Sequence, residues 1–258
     1  GRDRDRVRAL SPRMRYACEV DTPPVRPEYE ALARDFRALA AQFDLGVDDA
    51  LERDLVLVAA AFETIDRHVD ATPDAAARGR LCAAILRALR DGTGEGAVRR
   101  ELACTLAAVR ARLVLASALG PFADQLARFF VRSERLRLTA SGAEFVRCVL
   151  DEARCAAEMT LLAAPAIDVP RFARFFRVLS EIANLVDKLR DVRGDRARGE
   201  IAVRPGPVLH LRLLAAFAAR VPLLLFLARR PLHLVAWGAR YVLPATLTRR
   251  RAPSRWPA

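Results

Sequence analysis

Along most of this chain apolar residues return at intervals of three and four, the spacing that lines one face of an α-helix, and no sustained alternation of β-branched or aromatic with polar residues marks a strand. Three long stretches, 28–72, 74–120 and 122–164, contain no proline and are dominated by Leu, Ala and Arg, all good helix formers. The pattern predicts an all-α protein with helices over 28–43, 48–71, 75–91, 95–118, 122–136, 141–164, 168–196, 207–228 and 231–243. Breaks are expected at Gly46, Thr72-Pro73, Asp91 to Gly94, Gly120-Pro121, Pro165 to Pro170 and Gly199 to Pro207. No repeat of solenoid period is visible.

Composition narrows the class. With 258 residues, 53% hydrophobic and 29% charged, the chain is long enough for one domain or a tight pair and too apolar for intrinsic disorder. Five cysteines, Cys18, Cys82, Cys104, Cys148 and Cys155, form no CxxC pair and read as helix-packing thiols in a reducing, cytoplasmic compartment. The opening GRDRDRVR has no apolar core, so no signal peptide is expected.

Charge divides the chain unevenly. Residues 201–258 hold ten arginines and no Asp or Glu, so most of the formal net charge of +12 sits there, and residues 1–200 are nearly balanced. This basic segment is also apolar, yet Arg212, Arg220, Arg229 and Arg230 interrupt it before any uncharged run reaches the roughly 18 residues of a membrane span. Two readings stay open: an interfacial segment with arginines on anionic headgroups and Phe217, Phe226, Trp237 and Tyr241 at the acyl boundary, or C-terminal core helices with a basic end. Nucleic acid is not an expected partner, because the segment is too apolar for a phosphate-tracking surface and carries no binding module.

The candidate chemistry lies in carboxylates. In ETIDRHVDATPD, Asp66 and Asp70 are four residues apart and share a helix face; in NLVDKLRDVRGDRARGE, Asp191 and Asp195 do the same if the helix reaches that far. Both pairs fall near helix C-termini, where the partial negative charge disfavours carboxylates by roughly 0.3–1 kcal/mol each. Neighbouring arginines or a bound cation would compensate them. Ahead of Asp191, Val178, Ile182, Leu185, Leu189 and Val192 form an apolar stripe, and Glu181, Asn184, Lys188, Asp191 and Asp195 a polar one with Asp187 beside it. If the polar stripe faces the Asp66/Asp70 helix across a cavity, the two halves make a divalent-cation site; if it faces solvent, it merely solvates the fold. His68 is expected to point off the carboxylate face, and Asp44, Asp48 and Asp49 read as loop and N-cap residues.

These segments resemble a known family. LRDVRGDRARGEIAVRP at 189–205 is similar to the second aspartate-rich signature of squalene and phytoene synthases, LRDVxEDxxRGRxYLP, and IDRHVDATP at 65–73 to their first, TDxxVDxP. The separation of 125 positions between Asp66 and Asp191 is also similar. The resemblance implies a class I isoprenoid synthase-like helical bundle around a central apolar cavity, with residues 1–27 as an N-terminal extension, 28–206 as the catalytic domain and 207–258 completing the bundle, contacting membrane, or both.

It further implies Mg2+ as cofactor and a prenyl diphosphate as substrate, ionised either for prenyl transfer or for terpene cyclisation. Asp66, Asp70, Asp191 and Asp195 would be catalytic and, with Asp187, metal-binding; Arg190, Arg198, Lys188 and Asn184 would bind substrate. Phe62, Phe145, Phe172, Phe175 and Phe176 are expected as cavity walls able to face a carbocation. The implied location is the cytoplasm, with peripheral attachment to the inner face of the membrane left open. From other classes, a non-catalytic membrane-associated helical protein and a helical scaffold are the rival readings. Between the motifs the chain departs from the family: its tyrosine- and glycine-rich helix is not recognisable in EFVRCVLDEARCAAEMTLL, where the small residues Cys148, Ala153, Cys155, Ala156 and Ala157 occur instead.

Overall fold

The computed structural model describes residues 27–92 and 98–235, and within them all regular structure is helical. The elements are α1 (Pro27–Ala41), α2 (Asp49–Asp70), α3 (Ala75–Asp91), α4 (Arg100–Leu115), α5 (Leu119–Leu138), α6 (Gly142–Ala163), α7 (Pro170–Ala197) and α8 (Pro207–Leu227). A 3₁₀ turn, Pro165–Ile167, joins α6 to α7, and residues 231–235 form a further helical turn. The first eight expected helices are therefore present. The ninth, over 231–243, extends beyond the described residues, as do Cys18, Trp237, Tyr241 and the arginines from 240 onward.

Helix ends follow local chemistry. Asp48 starts α2 by accepting a 2.8 Å bond from the Leu51 N–H, and Asp74 starts α3 by accepting one of 2.6 Å from Ala77. Caps of this kind are typically worth about 1 kcal/mol. Pro170 and Pro207 occupy first-turn positions where a missing N–H costs nothing. Gly92 ends α3 in the left-handed region at φ 72°, which an L side chain would resist.

One expected break is misplaced. The sequence pattern places a break at Gly120-Pro121 with the next helix starting at 122; instead both residues lie inside the first turn of α5. A first-turn proline has no hydrogen-bonding duty, so the pair opens the helix rather than ending it. The chain reverses just before, where Ser117 takes a positive φ of 56° after α4.

The helices bury three apolar clusters. The first gathers α2, α3, α4 and α5 around Ile85, Leu89, Leu102 and Leu126, with Met159 of α6. The second joins α1 to α7 and the end of α6 through phenylalanines, and the third closes α6, α7 and the start of α8 around Phe145, Leu185 and Leu213. α6 sits centrally, packed on α5 and α7, and α8 lies against α7 and α6. None of the four cysteines among the described residues is in a disulfide; three are buried and Cys82 is half-buried, as packing residues should be.

The ring assignments need correction. Phe145, Phe172 and Phe175 are fully buried in these clusters and Phe176 packs beside them; none borders a cavity wall holding the carboxylates. Phe172 meets Phe36 edge-on at 5.5 Å, Phe43 at 5.3 Å and Phe176 stacked at 6.0 Å. Of the five expected wall residues only Phe62 reaches the cavity, where Phe129 joins it. Aromatic spacing on a helix marks a buried face without saying what that face meets.

Candidate carboxylate cavity

Between α2, α5, α6 and α7 lies a cavity of about 730 Å³. α2 contributes Phe62, Glu63, Asp66 and Asp70, and α7 contributes Asn184, Asp187, Lys188, Asp191 and Asp195 from successive turns. α7 runs unbroken through Gly194 to Ala197, so Asp195 stays on the face of Asp191; Gly199, at φ 75°, terminates the chain's turn beyond it. All five expected metal-binding aspartates thus border one hollow. The remaining wall comes from Phe129, Ser133, Leu136 and Arg137 on α5, from Glu152, Ala153 and Ala156 on α6, from Ser180 and Ala183 on α7, and from Glu200 and Ile201 after it.

Their surroundings separate the carboxylates into two groups. Asp70 is held by Arg137, and Asp195, itself buried, is held by Lys188 Nζ at 3.2 Å and Arg198 Nη2 at 2.7 Å. Asp66 is open to the cavity and walled by protein. Burial, Asp70 and then Glu152 push its carboxyl up to about 6. Asp187 is likewise raised, by burial and then by Asp191. Lys188 keeps its proton more tightly than a free lysine: burial opposes the charge, but Asp195, Glu152 and Asp66 outweigh it.

A raised carboxyl leaves a signature in stability. The folded chain binds a proton on Asp66 up to about pH 6, whereas an unfolded aspartate releases it near 3.8, so this group's contribution is full below the lower value and is lost as pH rises through the upper one. Asp66→Asn should therefore melt at a higher temperature than the parent at neutral pH, with the gap closing in acid below the unfolded value. A gap that stays constant across that range in thermal denaturation would mean that Asp66 does not titrate as described.

Other expected residues are placed differently. Asn184 donates its amide to the Val149 carbonyl at 2.8 Å, so it ties α7 to α6 as well as lining the wall. Arg190 stands beside Asp187 but outside the ring of wall residues, and Arg198 reaches the site through two wall carboxylates, Asp195 and Glu200. Glu181, read as part of the oxygen-rich stripe, turns away and is buried between Arg154 of α6 and Arg220 of α8. His68 points off the carboxylate face as expected, with Nδ1 at 2.7 Å from the Thr64 carbonyl.

Sequence reasoning missed Glu152, Ser133 and Arg137. Burial raises the Glu152 carboxyl even though Ser133 donates to it. Nothing local marks these residues: a lone Glu or Arg on an Arg-rich amphipathic helix looks like surface until the facing helix is known.

Oxygen-rich donors suit a hard cation such as Mg2+, which typically takes one or two protein carboxylates and completes its shell with water and phosphate. Asp66, Asp187 and Asp191 could serve in that way. Among the described residues no three His, Cys, Asp or Glu side chains are grouped closely enough to hold a metal unaided. Comparison with known protein families, with curated proteins and with solved structures finds no match for this chain.

Proposed function

We propose that this protein is a Mg2+-dependent class I isoprenoid synthase, with the helical bundle of that class, which ionises a prenyl diphosphate. The observation that supports this reading is the convergence of Asp66 and Asp70 with Asp187, Asp191 and Asp195, from segments 125 positions apart, on one cavity of about 730 Å³. That volume falls within the range of small-molecule sites.

The residues divide the work. Asp66, Asp187 and Asp191 would hold the metal, which, when bound, makes the diphosphate a better leaving group. Arg137 and Lys188 line the cavity and Arg198 stands behind Asp195, so all three can donate charge-assisted hydrogen bonds to an entering diphosphate. Each of these cations now holds Asp70 or Asp195. Moving onto phosphate oxygens would release those carboxylates as further oxygen donors. Heterolysis of the allylic C–O bond sends both electrons to the diphosphate and leaves an allylic cation. Phe62, Phe129, Leu136, Ala153 and Ala156 form the apolar part of the wall that shields this cation from water. Attack by a second prenyl double bond gives transfer and attack by one of the cation's own double bonds gives cyclisation; either forms a C–C bond and a new carbocation, which becomes a neutral alkene by losing a proton from the adjacent carbon.

A second reading is favoured by one specific observation. Asp70 and Asp195 are already neutralised by arginine and lysine, as they would be in a non-catalytic, membrane-associated protein on a degenerate synthase fold. Incubation with geranyl, farnesyl and geranylgeranyl diphosphates, with and without millimolar Mg2+, decides between the two. Diphosphate release that requires Mg2+ is the expected result, and no release from any substrate would leave the non-catalytic reading.

A further inference from the structure

α8 is apolar on nearly every side. Leu209, Leu213 and Leu224 face the bundle, while Val208, Leu211, Leu214, Ala215, Ala218, Ala219, Pro222, Leu223 and Phe226 form its exposed face. Phe226 is 80% exposed, Leu211 64% and Val208 63%, and the only charge on this outward face is Arg212. Surface helices normally turn polar residues outward, and a contiguous exposed apolar patch of this kind marks a contact site.

By length and composition alone α8 could cross a membrane. Its packing argues for another orientation. It lies lengthwise on α7 and α6, and Arg220 from its middle is engaged with buried Glu181. Inserting α8 across a bilayer would strip Glu181 of that partner and expose Leu209, Leu213 and Leu224, whereas lying flat leaves every one of these contacts in place.

Charge selects the occupant. Exposed Arg204 precedes the helix, Arg212 lies on it, and Arg230 follows it, in a segment from 201 to 258 with ten arginines and no carboxylate. A second copy docked through the same face would set this segment against itself with nothing to neutralise it. An anionic bilayer supplies both what the apolar stripe lacks and what the arginines seek. We propose that the protein docks on anionic membranes through the outward face of α8, with the helix in the plane of the interface, about 31 Å long, and still packed on the bundle.

This proposal is independent of the synthase reading, since vesicle binding and diphosphate release are measured separately. The test is co-sedimentation of the full chain with phosphatidylcholine vesicles, with and without phosphatidylglycerol, at low and high salt, comparing the parent with Leu211→Gln/Phe226→Gln. These residues are exposed, so the double variant should melt with the parent in the absence of lipid. Binding should require phosphatidylglycerol, weaken with salt, and fall at least tenfold in the double variant. Several outcomes would overturn the proposal. One is binding that is absent, or equal in the variant, which would leave attraction by the basic segment alone. Another is a lower melting temperature of the variant without lipid, meaning that another part of this chain covers the face. A third is a lipid-free dimer that the variant abolishes.

Discussion

Asp66→Ala and Asp191→Ala should each lower Mg2+-dependent diphosphate release by at least about a thousandfold while leaving the protein folded. Each removes a carboxylate that lines the cavity, and the Asp66 carboxyl is pushed up to about 6 by burial and by Asp70 and Glu152. Such groups sit against one another's charge, so their loss should not cost stability. The control is Asp49→Ala, on the exposed side of α2 and paired with Arg37 rather than with the cavity, which should release diphosphate at the parental rate. Release that survives in both cavity variants would end the metal-site interpretation, whatever the cavity's shape.

The second large effect lies away from the cavity. Phe172→Ala should destabilise the fold by about 3–5 kcal/mol, the usual cost of deleting a fully buried ring, and lower Tm by on the order of 10 °C. Phe172 is completely buried, and its ring is shared by Phe36 and Phe43 from the N-terminal region and by Phe175 and Phe176 on its own helix. Because this cluster is separate from the carboxylate cavity, release per folded molecule should stay unchanged below the melting range. Equilibrium urea unfolding together with activity normalised to folded protein would check both halves. A selective loss of activity at full stability would instead return Phe172 to the cavity wall, where its sequence context first suggested it.

These two variants separate kinds of information that the chain presents in the same way. Asp66 and Phe172 both stand at helical spacing beside similar residues, and both were read as parts of one site. The aspartates do line one cavity, in keeping with the scarcity of charge inside proteins: four or five carboxylates on two helix faces need a common solvent, cation or cavity. For the phenylalanines the inference failed because any core accepts an aromatic ring, so spacing cannot distinguish a packed cluster from the lining of a hollow. Glu181 shows the same limit from the polar side. It belongs to the stripe of Asn184 and Lys188 by helical geometry, yet a helix in a bundle has several neighbours, and Arg154 and Arg220 claimed it from the other side.

Helix content and helix ends were written locally. The three-and-four recurrence of apolar residues, the capping aspartates at 48 and 74, and the prolines at 170 and 207 act within a turn or two, and so they could be read one segment at a time. The pairing of helices could not, because it depends on which apolar faces bury each other. Only that packing brought Arg137, Ser133 and Glu152 to the aspartates, sent Phe145 and Phe172 into separate cores, and left α8 with an apolar face outward. Short-range hydrogen bonding and periodicity are properties of neighbours in the chain; burial and electrostatic compensation are properties of neighbours in space.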